Sequence, residues 1–211
     1  MNAHVILGLC LLAMQVILAV VLLCEIYRTR SAGGVAVLGE LAWVIAGAGW
    51  VWYGLLSSHA VVAVSGVVAA VSSAVVCLLV RGDVSSRLWR QYNLVVCVFA
   101  LSMIVIGVIF GVTGLSVFLA VFGVVQFMPQ LSLSAAQLLR GTCVAGVPVR
   151  GAVFRSVYTG LWAVYAVMRN VFAGGAIDWP LAVWGVVGCA AFMMQAIVGM
   201  RSNMLLKRDM V

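Results

Sequence analysis

The sequence predicts an all-α membrane protein of seven transmembrane helices in a 3+1+3 parallel-repeat arrangement, with the N-terminus outside and the C-terminus cytoplasmic. Three observations carry this. Hydrophobic residues make up 66% of the 211-residue chain and charged residues 8%, with mean hydropathy +1.25, far from a soluble balance. The apolar residues gather in long runs, each near the roughly 20 residues that cross about 30 Å of hydrocarbon. Residues 28–54 and 140–166, which lie 112 positions apart, also read alike.

The runs cover about 4–24, 35–56, 60–80, 93–111, 115–137, 152–169 and 180–200. They are too long and too continuously apolar for barrel strands, and lipid admits only helices or closed barrels. The first run has no basic segment before it and no A-x-A-like cleavage site, so it reads as a retained helix and not a signal peptide. After the third run comes the basic linker RGDVSSRLWRQY. The fourth run carries only Asn93 and Ser102 as polar content, which suits a spacer. Eleven of the 12 basic residues fall on one side; only Arg169 falls opposite. The positive-inside rule sets the orientation from that asymmetry. The net charge of +7 is accounted for by topology and anionic headgroups, with no nucleic-acid partner.

The two similar segments align without a gap. They share Arg28/Arg140, Gly34/Gly146, Val35/Val147, Val37/Val149, Gly39/Gly151, Trp50/Trp162 and Tyr53/Tyr165. Equivalent elements lie four helices apart along the chain, an even number, so the second and sixth helices run in the same direction. The repeat is therefore parallel, and its pseudo-axis follows the membrane normal. The domain plan is 1–80 for the first three-helix repeat, 81–114 for the linker and inverting helix, 115–201 for the second repeat and 202–211 for a cytoplasmic tail.

Several residues stand out as candidate site groups. Trp50 and Trp162 are expected to face each other across the pseudo-axis, with Tyr53 and Tyr165 one turn further along. Interfacial anchoring is the competing reading for these aromatics. Gln126 and Gln130 share a helix face at i and i+4, either toward a polar solute or as glue between helices. Pro129 removes a backbone donor and should bend the fifth helix, as a hinge or as a static kink. Glu40 and Arg155 lie one turn apart on equivalent faces early in the second and sixth helices. They suggest a cytoplasmic gate pair, or two independent interfacial charges. Asp178, beside Gly174-Gly175, reads as a solvated loop residue. The six cysteines are scattered and none forms a C-x-x-C pair, which fits helix packing and neither metal binding nor a disulfide framework.

Pro129-Gln130, Arg140, Gly146-Val147-Pro148, Trp162-Ala163-Val164-Tyr165-Ala166, Gly188 and Gln195 resemble the PQ-loop, or SWEET-like (MtN3-saliva), superfamily. The first repeat keeps Ser31, Gly34, Trp50 and Tyr53-Gly54 but has Ile17-Leu18 in place of Pro-Gln. The chain reads as a divergent, bacterial-type member of the bacterial plasma membrane. The resemblance implies that Trp50 and Trp162 pack on the solute. It also implies an Asn in the third helix of each repeat, at a set spacing after the Trp. Ser65-Gly66 and Trp184-Gly185 stand there, so the paired Asn is absent and Ser65 and Trp184 become candidate site residues.

No G-x-S-x-G or H-E-x-x-H motif occurs, and His4 and His59 fall at the outer interface. Lys207 is the single lysine, which excludes a retinal Schiff base in a helix. The expectation is no enzyme, no catalytic residue, no metal and no cofactor. Two function classes remain. One is a facilitator moving a small organic solute by alternating access between the repeats. The other is a non-transporting PQ-loop receptor or accessory subunit that binds a lipid-linked or partner-protein ligand. The expected partners are the solute and the lipid bilayer. A homo-oligomer or a membrane partner protein stays open.

Overall fold

A computed structural model of the chain describes residues 3–29, 37–83, 85–140, 149–173 and 177–208; at Gln126 and at 128–140, among others, it describes the backbone alone. Among the described residues six α-helices follow one another: α1 (Ala3–Thr29), α2 (Val37–Leu56), α3 (Ala60–Val80), α4 (Ser86–Arg140), α5 (Val149–Ala173) and α6 (Trp179–Arg208). No strand occurs among the described residues. Stretches of α1, α3, α4 and α6 are long and apolar enough to cross a membrane. Leu94, Val98, Leu101, Val105 and Val108 form an exposed apolar stripe along α4. Such a stripe suits hydrocarbon, not water. The chain is an integral membrane protein.

The sequence places a linker over 81–92 and a break between runs at 111–115. The structure shifts the first and keeps the second as a one-residue kink. Residues Arg81–Asp83 form a 3₁₀ turn and α4 already starts at Ser86. Ser85 starts it: its Oγ accepts from the Leu88 N–H at 3.4 Å and its carbonyl from the Trp89 N–H at 3.0 Å. That is N-capping, and polar residues near the headgroups can then be helical. At the second place there is no loop. One residue, Gly111, leaves the helical dihedrals, at φ 61° and ψ −149°. Only glycine adopts that conformation readily.

The chain divides into two compact units, Met1–Phe122 and Gly123–Val211. In the first, α2 and α1 both pack on α3. The α2–α3 approach is set by small residues. A Cβ on Gly66 would stand 2.7 Å from the Gly47 carbonyl oxygen and 2.8 Å from the Val51 nitrogen. Within this unit α4 also meets α2, since Gly49 lies under Leu119 and Met103, and Gly107 under the Trp52 ring.

The second unit repeats that helix pair. α5 opens at Val149, the counterpart in the aligned segments of Val37, which opens α2. α6 opens at Trp179, as α3 opens at Ala60. A Cβ on Gly185 would stand 2.7 Å from the Thr159 carbonyl oxygen and 2.6 Å from the Ala163 nitrogen. Thr159 and Ala163 are Gly47 and Val51 carried forward by the offset between Val37 and Val149. Gly185 is Gly66 carried forward by the larger offset between Ala60 and Trp179. The two pairs therefore pack in one register, and most of the extra length lies in α5, 25 residues against 20 in α2.

Candidate functional site

The equivalent Trp and Tyr side chains share one local geometry. Trp50 and Tyr53 meet edge to face at 5.7 Å and 85°; Trp162 and Tyr165 do so at 5.4 Å and 80°. All four are buried. Spacing i, i+3 on a helix places both rings on one face, and edge-to-face contact suits their opposed edge and face charge. Each pair gains a further neighbour. Tyr158 lies 6.2 Å from Trp162 at 89°, and His59 lies 6.0 Å from Tyr53 at 86°.

His59 is buried, because the chain turns tightly before it. Its N–H reaches the Gly54 carbonyl at 2.7 Å, and the Ser58 N–H reaches Leu55 at 3.3 Å. These two bonds make a Schellman ending to α2, with Ser58 at φ 58°. Asp178 is likewise not solvated. It is buried and caps α6, its Oδ1 accepting from the Leu181 N–H at 3.2 Å. Asp followed by Trp-Pro is an N-cap signal that reading it as a loop overlooked.

The shared register makes Ser65 and Trp184 equivalent. Ser65 is buried in the first unit. Trp184 is 4% exposed, lies directly on Gly123 and is tilted 45° to Phe127 at 6.3 Å. A hydroxyl in one repeat thus corresponds to an indole in the other, and a glycine makes room for it.

Glu40 is 8% exposed, and the Ser73 hydroxyl donates to its Oε2 at 2.8 Å. By the same register Glu40 and Ser73 correspond to Ala152 and Phe192, which are also buried. One repeat fills that place with a hydrogen-bonded polar pair, and the other fills it with an apolar pair. Arg155, one turn from Ala152, holds its guanidinium 5.6 Å from the centre of the Phe192 ring. Ser73 and Phe192 escape notice in the sequence because each partner lies far along the chain, on another helix.

Hydroxyls also tie α5 to α6. Ser156 Oγ donates to the Cys189 carbonyl at 2.9 Å, while within α5 Thr159 Oγ1 donates to the Arg155 carbonyl at 2.9 Å. The helical backbone of α4 continues through Gln126, Pro129 and Gln130, whose side chains lie outside the described residues. No cluster of three or more metal-ligating side chains occurs among the described residues.

No family model matches the sequence, and no curated protein matches it. Among solved structures, a eukaryotic SWEET transporter at 3.7 Å resolution superposes with TM-score 0.68 at 15% identity, over 96% of this chain and 100% of that one. The chain therefore has the fold of a SWEET transporter along nearly its whole length.

Proposed function

We propose that the protein is a transporter, a facilitator that moves a small organic solute by alternating access between two three-helix repeats. The observation that carries this is the duplicated helix pair. Trp50–Tyr53 and Trp162–Tyr165 recur buried, edge to face, in one register, on a chain whose fold is that of a SWEET transporter. Repeat-built transporters hold solute where their repeats meet. In this reading the two Trp–Tyr pairs, with Ser65, Trp184, Gln126 and Gln130, line the solute path, and Pro129 is a hinge.

Seven spans also fit this reading by length. The stretch Ser86–Val125 holds 40 apolar-rich residues, about 60 Å of helix and twice the hydrocarbon thickness. Gly111 divides it into the inverting fourth helix and the first helix of the second repeat, giving 1–80, 81–114 and 115–201 as repeat, linker and repeat. The basic residues then face the cytoplasm, and the membrane is a bacterial plasma membrane. Glu40 and Arg155, opposite charges one turn apart on equivalent faces, form the cytoplasmic gate pair.

The test is counterflow in proteoliposomes with a panel of sugars, amino acids and vitamins. The wild type should carry at least one solute, and a Trp50→Ala/Trp162→Ala variant should not. Absence of flux for every solute, with a membrane protein co-purifying, would replace the transporter with the receptor or accessory reading.

A further inference from the structure

Resting on the transporter reading, the chemistry of the second repeat narrows the class of solute. The Trp162 side chain is 2% exposed, and its indole N–H meets no hydrogen-bond acceptor among the described residues. Tyr158 and Tyr165 both stand edge to face with that ring, at 6.2 Å and 5.4 Å, and restrain it from swinging toward a new partner. A buried donor left unpaired costs about 1–3 kcal/mol, so its retention calls for an acceptor supplied from outside the chain. An indole N–H only donates. Its partner therefore presents a lone pair, which rules out an ammonium group.

Trp184 supplies the second constraint. In the register set by Gly66 and Gly185 it takes the place of Ser65. That place could hold a small polar side chain serving hydroxyl groups. It holds a 4% exposed indole laid on Gly123 beside Phe127. A polyol would bring several hydroxyls to the Trp184 and Phe127 rings there, and each one left unpaired would weaken binding.

We infer that the transported solute is a planar heteroaromatic molecule whose in-plane acceptor takes the Trp162 N–H, and that polyols are excluded. Aromatic faces and edges stack on such a molecule without needing matched hydroxyls.

The experiment uses the full chain in proteoliposomes, with radiolabelled uracil as the planar acceptor-bearing probe and radiolabelled glucose as the polyol. Uracil flux should exceed that of protein-free vesicles, and glucose flux should not. Trp162→Phe keeps a ring but removes the donor. It should raise the half-saturating uracil concentration by about tenfold. A measurement on the wild type removes dependence on that variant's folding. Added uracil should shift the indole N–H marker band in ultraviolet resonance Raman spectra toward the hydrogen-bonded position. Glucose carried as well as uracil, an unshifted band, or unchanged saturation in Trp162→Phe would overturn the solute class and leave the transporter standing. No flux of uracil, glucose or any other panel solute would overturn the transporter reading and this inference with it.

Discussion

Replacing Gly66 with Ala and, separately, Gly185 with Ala should damage the protein equally. Each added methyl would stand 2.6–2.8 Å from backbone nitrogen and oxygen of the neighbouring helix, where ordinary contact begins at 3.4 Å. Backbone atoms of a helix cannot rotate away, so α3 must retreat from α2, or α6 from α5, by several tenths of an ångström. Overpacking of this kind costs about 1–3 kcal/mol. For a chain of this size that corresponds to a fall of about 2–12 °C in melting temperature. Gly82→Ala is the control, because nothing lies within 4 Å of its added methyl. The assay is thermal unfolding in detergent, followed by helical circular dichroism. The common register would be wrong if the Gly66→Ala and Gly185→Ala losses differed by more than about 2 kcal/mol, the whole width of the overpacking range. It would be wrong, too, if either variant matched Gly82→Ala.

Three further outcomes follow from the same geometry. Ser58→Gly should raise stability by about 0.5–1 kcal/mol, since it relieves a left-handed φ of 58° at the end of α2; a lower melting temperature would show that the serine side chain matters more than the backbone. Gly111→Ala should cost about 1–3 kcal/mol through dihedral strain alone, because its methyl would enter open space; unfolding of the variant at the wild-type temperature would refute this. Glu40→Ala combined with Ser73→Phe imitates the Ala152–Phe192 pair of the second unit. The double variant should be more stable than the sum of the single effects by about 1 kcal/mol, whereas additive behaviour in a double-mutant cycle would sever the proposed equivalence.

Much of the helix plan was legible because lipid imposes length. The third span read at 60–80 coincides with α3, Ala60–Val80. The duplicated Trp-x-x-Tyr was legible too, since i, i+3 spacing fixes a shared helix face. Three features were not. The start of α4 at Ser86 depends on a capping bond inside a basic, polar stretch that hydropathy discounts. Asp178 reads as loop from the glycines on one side, whereas its role is set by Trp179-Pro180 on the other. Ser73 and Phe192 gain meaning only from helices packed against their own, and helical periodicity within one segment carries no information about the segment opposite. The Ser65–Trp184 correspondence lay in between. A family spacing suggests it in the sequence, and the glycine contacts supply a physical reason for it.

The contact between Gly66 and α2, and its counterpart between Gly185 and α5, shows what a duplicated membrane fold must keep. Two main chains approach closely at one point, and backbone atoms stand nearest there. Everything around the point has been free to diverge: a carboxylate to a methyl, a hydroxyl to an indole, a short connection to a longer one. A scaffold fixed by backbone approach can change what lines its interior without changing how it closes. An altered solute is then reachable through side-chain replacement alone.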